Sequence, residues 1–303
     1  MGDEGGRCPI CGGPRPGRPI TRPGLRVSRC RDCGHRVATH EGADGLVRDY
    51  HEQYAAGPFL QALRATRERQ ARLVVGLLRA HVPGLSRLVD YGAGRAWFLE
   101  ACRSVGIAPV AGVDTSRIAV EGLEASGFEA RLLPEDEGGA RVLSSLSFRP
   151  RVVTLLDVLE HFPPERVGTR LQGVVSACGS DLELVVVKVP VPGLLYAGAS
   201  ALVRVGVSGP LRQLYQVGTW PPHLSYFSPA SAERLLATAG LSVVRCIFDR
   251  DFEPEWLGPR IGADRPAARA LARIGGEALG VAVRVTRWRD SIVLFARPTP
   301  WRL

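Results

Sequence analysis

The sequence predicts an α/β fold, a parallel sheet covered by helices on both faces, with a small cysteine-bearing module ahead of it. Three observations carry this. Leu85 to Asp114 reads as strand, glycine turn, helix, second strand and acidic residue. Two later runs, Arg151 to Val158 (RVVTLLDV) and Asp181 to Val189 (DLELVVVKV), are apolar almost without interruption, as strands buried on both faces are. Residues 1–40 instead carry two pairs of cysteines and few apolar residues.

Residues 1–42 form the first predicted unit. Cys8-Pro-Ile-Cys11 and Cys30-Arg-Asp-Cys33 are each a C-x2-C pair, which closes a tight loop and offers two sulfurs to one tetrahedral ion. Gly12, Gly13 and Gly34 follow the second cysteines, where such loops need permissive backbone. The segment between the pairs cannot build a core unaided, so metal binding, about 10–16 kcal/mol for structural zinc, would supply the folding energy. Cys8, Cys11, Cys30 and Cys33 are therefore the predicted ligands of a structural Zn2+, with no open coordination position. His35 is a competing ligand, and a redox dithiol pair is the competing chemistry. The other three of the seven cysteines, Cys102, Cys178 and Cys246, sit in apolar surroundings and read as core residues of a protein kept reduced.

Residues 43–84 read as a helical cap. After a Gly57-Pro58 break, a helix over 59–80 places Leu63, Val74, Leu77 and Leu78 on one face, with arginines opposite. Tyr50, His51 and Tyr54, just before it, are candidates either for lining a site or for packing.

The unit 85–303 opens on the glycine turn. Leu88 to Tyr91 is a short buried strand, and Gly92-Ala93-Gly94 makes a turn tight enough for backbone to approach a ligand. Ala96 to Val105 is a helix with Trp97, Phe98, Ala101 and Val105 at helical spacing, stopped by Gly106. Pro109 to Val113 is the second strand, with Asp114 at its carboxyl end. Thr115-Ser116 starts a helix that Gly127 ends, and Phe128 to Leu133 is the third strand. Arg151–Val158 is the fourth strand, Pro163-Pro164 starts a helix reaching Gly179, and Asp181–Val189 is the fifth strand. Residues 190–227 are longer than an ordinary connection and read as a substrate-covering insertion. Ser228 caps a helix, Pro229 opens it and Gly240 closes it. Leu241 to Phe248 is a sixth strand, residues 249–286 a largely helical insertion, and Ser291 to Arg297 the last strand.

A dinucleotide would need G-x-G-x-x-G so that its pyrophosphate can sit on the helix N-terminus. Trp97 occupies the last position of that pattern, and Asp90 adds negative charge where phosphates would go. Both suit a ligand without phosphate and with positive charge. The pattern Asp90-x-Gly92-x-Gly94 resembles motif I of the class I S-adenosylmethionine-dependent methyltransferases, with Ala96 where that family usually has a third glycine. Asp157-Val158-Leu159-Glu160-His161 resembles the motif after strand four in the group containing ubiquinone-type O-methyltransferases and many sugar and natural-product methyltransferases. Pro222-His223-Leu224-Ser225-Tyr226-Phe227-Ser228-Pro229 is similar to the segment before their penultimate helix.

The resemblance covers roughly residues 85 to 250 and implies a Rossmann-like sheet, mostly parallel with the last strand antiparallel. It also implies a site for S-adenosyl-L-methionine. Backbone at Gly92, Ala93 and Gly94 would pass beneath the methionine moiety, and Asp90 would favour its ammonium. Asp114 would accept the ribose hydroxyls beside Thr115, Asp136 (or Glu135) would meet the adenine, and Asp157 with Val158 would close the site from strand four. His161, His223 and Tyr226 are the candidate catalytic, acceptor-facing groups. Lys188 stands out as the sole lysine among 39 basic residues.

Composition narrows the function. Hydrophobic content of 45% and charged content of 23% are those of a globular protein. The net charge of +9 invites a nucleic-acid partner, but the arginine skew, with 35 Gly and 23 Pro, fits compositional bias of the coding genome better. No apolar run of membrane-spanning length occurs and the start is polar, so the expectation is a cytoplasmic protein with no membrane partner. The expected activity is O- or C-methylation of a small molecule, a sugar or specialised metabolite. The alternatives are a zinc-ribbon RNA base methyltransferase, which the D-V-L-E-H sequence disfavours, and a non-catalytic cofactor-binding subunit. No motif specifies the acceptor or an oligomeric state.

Overall fold

The computed structural model describes residues 6–14, 19–41, 58–134, 139–251 and 289–299. In chain order, β1 (Ile20–Arg22), β2 (Leu25–Arg29) and β3 (Arg36–His40) pair antiparallel beside the cysteines. Helix α1 (Pro58–His81) follows, then β4 (Leu88–Tyr91), α2 (Trp97–Ser104), β5 (Val110–Asp114), α3 (Arg117–Ala125) and β6 (Glu129–Leu132). Next come α4 (Ala140–Ser144), β7 (Val152–Leu156), α5 (Val167–Cys178) and β8 (Leu184–Pro190). The chain continues through α6 (Leu194–Arg204), α7 (Gly209–Leu214), β9 (Ser225–Tyr226), α8 (Pro229–Thr238), β10 (Leu241–Asp249) and β11 (Ser291–Pro298).

The main sheet has the order β10-β11-β8-β7-β4-β5-β6. The pairs β6–β5–β4–β7–β8 are parallel, and β11 runs antiparallel to both neighbours, as the resemblance implied. The strand order reverses between β4 and β7, and ligands of open α/β sheets bind at the carboxyl ends of the strands at such a point.

Alternation of side chains about each strand divides the core in two. Val153, Leu155, Val185 and Val187 pack with Leu171 and Val174 of α5 and Leu235 of α8. Val152, Leu184, Val186 and Phe295 face the other way, onto Val74 and Leu78 of α1, Phe98 and Leu99 of α2 and Leu123 of α3. Cys102 and Cys178 are buried in these layers, while Cys246 is half-buried at the edge of the core. No helix among the described residues is long and apolar enough to cross a membrane.

Four expectations need correction. In α2 the buried residues are Phe98, Leu99 and Cys102, while Val105 is 41% exposed at the helix end. The Pro163-Pro164 pair forms a turn, closed by Arg166 N–H to the Pro163 carbonyl at 2.9 Å, and α5 starts at Val167. Ala96, expected as the first residue of α2, is instead its N-cap in left-handed backbone. Ala96 holds φ +64°, where an L residue loses about 1–2 kcal/mol relative to right-handed backbone.

The insertion over 190–227 is the largest departure. From its first half only Pro190 lines the main cavity, whose other insertion residues come from Gln216 onward. Tyr196, Ala199 and Val203 of α6, Leu211 of α7 and Tyr215 pack with Leu25, Val27 and Ala38 of the N-terminal strands. Its end, β9, pairs with β3 (Val37 opposite Ser225, Arg36 opposite Tyr226) and completes a four-stranded sheet. The small module thus finds in the insertion the core that its own sequence lacks. Tyr50, His51 and Tyr54, Glu135 and Asp136, and most of the insertion after Asp249 lie outside the described residues.

Candidate active site and cysteine cluster

At the carboxyl ends of β4, β5 and β7 the glycine turn is pinned by β5. Gly92 N–H (2.7 Å) and Ala93 N–H (3.1 Å) both donate to the Val113 carbonyl. Gly92 has φ +81°, and a methyl there would lie 2.5 Å from Val158 Cγ2, so glycine is required both by conformation and by the close approach of the D-V-L-E-H loop. A methyl at Gly94, also at positive φ, would meet nothing within 4 Å, so this backbone opens directly onto the cavity.

Asp114 holds the turn from the next strand. One carboxylate oxygen accepts Gly94 N–H at 2.8 Å and the other Ser116 N–H at 2.9 Å. Ser116 in turn caps α3 by accepting Ala119 N–H. Each oxygen of Asp114 keeps further acceptor capacity. Thr115 is exposed at the cavity edge.

Asp90 is buried beneath the turn and accepts the Thr154 hydroxyl at 2.5 Å. Burial raises its pKa to about 7, against the Thr154 hydrogen bond, with the charges of Asp114 and Asp157 adding to the rise.

These groups form one end of a cavity of about 1000 Å3. The other end is built by the D-V-L-E-H loop, the segment 220–224 and β3 of the N-terminal sheet. Two backbone bonds join these three pieces: Ala38 N–H donates to the Leu224 carbonyl at 2.9 Å, and Leu224 N–H to the Glu160 carbonyl at 2.8 Å. His161 and His223 meet there with ring centroids 4.9 Å apart. Burial lowers the pKa of both, that of His223 strongly, so both rings are neutral near pH 7. Burial pushes the Glu160 carboxyl well up, with the Asp157 charge adding to it.

Tyr226 does not join them on the cavity wall. Its hydroxyl donates to the Leu214 carbonyl at 3.1 Å, and its ring packs tilted against Tyr196 and edge-on to Tyr215, so it holds the insertion together. Asp157 lines the cavity at φ +59°, but its oxygens are engaged by Lys188 (2.5 Å) and Arg67. Lys188 also bonds Asp251 at 2.5 Å. Burial pushes the Asp251 carboxyl up, but Lys188 and Arg67 outweigh it and hold that carboxyl well below the usual range.

Sequence reasoning gave no role to Arg67, Gln70 or Asp251, which line the cavity from α1 and from just past β10. Polar residues on a mostly apolar helix face were the available signal for the first two. Asp251 carried none.

The four cysteine sulfurs lie within 4.8 Å of one another, with Cys8–Cys33 at 3.6 Å and Cys11–Cys30 at 3.5 Å. A tetrahedral ion with Zn–S near 2.3 Å holds its sulfurs about 3.8 Å apart, so the cluster fits one. The two loops are built alike: Gly12 N–H donates to Cys8 O at 2.9 Å and Gly34 N–H to Cys30 O at 3.1 Å, with both glycines at positive φ. His35 is not among the clustered ligands; it is fully buried against Phe227, 4.8 Å between ring centroids.

A family model described as "Methyltransferase domain" matches residues 49–245. No curated protein matches the chain in sequence. Solved structures of similar fold include the plantazolicin methyltransferase with S-adenosylhomocysteine (14% identity, 85% of this chain and 93% of that one, TM-score 0.50). Mycolic acid cyclopropane synthase with S-adenosylhomocysteine is another (15%, 83% and 92%, TM-score 0.50). Magnesium protoporphyrin IX methyltransferase from Synechocystis PCC 6803 matches at 18% identity over 84% and 91%, TM-score 0.47. At these identities the likeness is one of fold. The strand order, the glycine turn tied to Asp114 and the family match converge: the chain belongs to the methyltransferase-domain family and carries the class I sheet of the S-adenosylmethionine-dependent methyltransferases.

Proposed function

We propose that the chain binds S-adenosyl-L-methionine at the glycine turn and methylates an oxygen or carbon of a small molecule, with a structural zinc in the cysteine cluster. One observation carries this: a single cavity joins the acid-flanked turn to a separate pocket walled by His161, His223 and β3. Its volume is at the upper end of small-molecule sites, about 300–1000 Å3, which allows two ligands side by side. Enclosure by segment 220–224 and the N-terminal sheet favours a compact acceptor over a nucleic-acid strand.

When bound, S-adenosylmethionine supplies an electrophilic methyl on a positively charged sulfur. The chain's part is to align acceptor and methyl and to exclude water, so proximity carries much of the rate. Gly94 offers open backbone for the methionine moiety, Asp90 an acid for its ammonium, and Asp114 acceptor positions for the ribose diol.

Asp114→Ala should weaken S-adenosylhomocysteine binding at least tenfold in calorimetry, since it removes both the diol acceptor and the brace on Gly94. A charge-assisted hydrogen bond is worth about 1.5–3 kcal/mol, more than the roughly 1.4 kcal/mol of a tenfold change. Unaltered affinity would remove the turn from the cofactor site.

Asp90 predicts a pH dependence. In the ligand-free protein the folded state keeps the Asp90 proton up to about 7, whereas the unfolded chain releases it near 4, so this group lowers stability as pH rises through that window. The ligand ammonium favours the ionised carboxylate. Affinity for S-adenosylhomocysteine should therefore tighten from pH 6 to pH 8 with release of a proton, and Asp90→Asn should flatten the profile. Calorimetry in buffers of different ionisation enthalpy reads both; a flat wild-type profile contradicts the assignment.

A further inference from the structure

Glu160, His161 and His223 bring one carboxylate and two imidazoles together, with their ligand atoms all within 4.8 Å of one another. Glu160 is 1% exposed, and neither of its oxygens has a hydrogen-bond partner among the described residues. Nδ1 of His223 is likewise buried without one. Lys188 is nearby, but its bonds go to Asp157 and Asp251. A buried carboxylate with no donor needs a proton or a cation.

The surroundings hold the rings as ligands are held. His161 Nδ1 is 2.9 Å from the Pro222 carbonyl, so it carries the hydrogen and leaves the Nε2 lone pair available. His223 is fixed at its backbone by His40 Nε2, which donates to its carbonyl at 3.1 Å. The Gln216 amide lies 3.0 Å from its Nε2, and with the amide oxygen turned to accept Nε2–H, Nδ1 keeps the lone pair that a metal needs. A bound ion with ligands at about 2.0–2.2 Å would draw the three atoms closer together, a small movement of side chains whose backbone is already in place.

We infer that Glu160, His161 and His223 form a second metal site, separate from the cysteine cluster, for a divalent first-row cation such as Mn2+, Fe2+, Co2+ or Zn2+. Imidazole and carboxylate together suit these ions, and three protein ligands leave coordination positions open to the cavity. The inference rests on the methyl-transfer reading and deepens it, because the open positions select the acceptor. That acceptor carries a hydroxyl beside a second oxygen, so that both can coordinate. Coordination lowers the hydroxyl pKa, and its proton passes to cavity water. The oxygen electron pair then forms the O–CH3 bond as the S–CH3 bond breaks, with the bonding pair staying on sulfur to give neutral S-adenosylhomocysteine. The two histidines act as ligands in this scheme, in place of a general base.

The test titrates Mn2+ into the full-length, zinc-replete protein, followed by electron paramagnetic resonance. Mn2+ does not compete for thiolates, so the cysteine cluster stays filled. The expected result is one bound Mn2+ per chain, weakened at least tenfold in Glu160→Gln and in His223→Gln, with S-adenosylhomocysteine affinity within threefold of wild type as the sign of an intact fold. Should either variant lose the fold, His161→Gln carries the same comparison. Wild-type protein that binds S-adenosylhomocysteine but no Mn2+, or variants that bind Mn2+ as well as wild type, would overturn the site and leave the methyltransferase reading standing. Failure of wild type to bind S-adenosylhomocysteine would instead remove that reading, and this inference with it.

Discussion

With the proposed zinc in the cysteine cluster, a full-length Cys30→Ser variant is expected to lose that metal and, with it, the fold of far more than the N-terminal module. Structural zinc is worth about 10–16 kcal/mol in isolated fingers, comparable to or greater than the total stability of an ordinary domain. Cys30 is fully buried, so no water-exposed ligand can replace it at the same position. The module does not stand apart. Leu25, Val27 and Ala38 share a core with α6, α7 and Tyr226, β9 pairs with β3, and the Ser228 hydroxyl that caps α8 also donates to the Cys33 carbonyl. Hydrogen exchange in the variant should therefore rise together in residues 19–41 and 194–226, by several orders of magnitude. The glycine turn and Asp114 belong to the main sheet, so S-adenosylhomocysteine affinity should fall by only a few-fold. The acceptor end, whose wall includes His223 and Leu224, should lose its shape, and turnover should drop at least a hundredfold. Protection that vanishes in 19–41 while 194–226 keeps its own would show the two to be independent units.

The main sheet was legible in the sequence because its signals are local. Continuous apolar strands, a glycine turn and capping residues such as Ser116 and Ser228 act within a few residues, and each led to the element observed. The turn Gly92–Gly94 was readable for the same reason, whereas Asp114, 20 residues beyond Gly94, was singled out through the family resemblance and its brace on the turn was not foreseen. Three things were not. The seating of the cysteine module on the insertion joins residues nearly two hundred apart, such as Val27 and Tyr215, and no periodicity announces which partner an apolar face will find. The direction of Tyr226 was lost because strand side chains alternate, and a two-residue strand gives no alternation to count. Glu160 was read within a motif but given no role, although its adjacency to His161 places both on the same short turn. What the sequence lacked there was His223, sixty-two positions later, whose approach depends on the Leu224–Glu160 backbone bond.

Lys188→Met should destabilise the protein by about 3–5 kcal/mol, the cost of breaking a buried ion pair from one side. Lys188 lies on β8 in the middle of the sheet, its side chain 1% exposed, with its amine bonded to both Asp157 and Asp251. Removal of the amine leaves Arg67, with the Gln70 amide on Asp251, between two carboxylates, one of which sits at the strained start of the D-V-L-E-H loop. Denaturant unfolding measures the loss. Adding Asp251→Asn to Lys188→Met should recover about 1–3 kcal/mol, because neutralising one acid relieves the repulsion that the lysine had cancelled. Lys188→Arg should not substitute for the native residue: at a position 1% exposed, beside Arg67 on the same two carboxylates, the bulkier guanidinium overpacks the space that a compact ammonium fills. This gives a physical reason for one lysine in a chain that otherwise uses arginine. The three outcomes together separate a charge-balancing role from mere packing, since a methionine that only filled space would lose little, and the arginine would lose most.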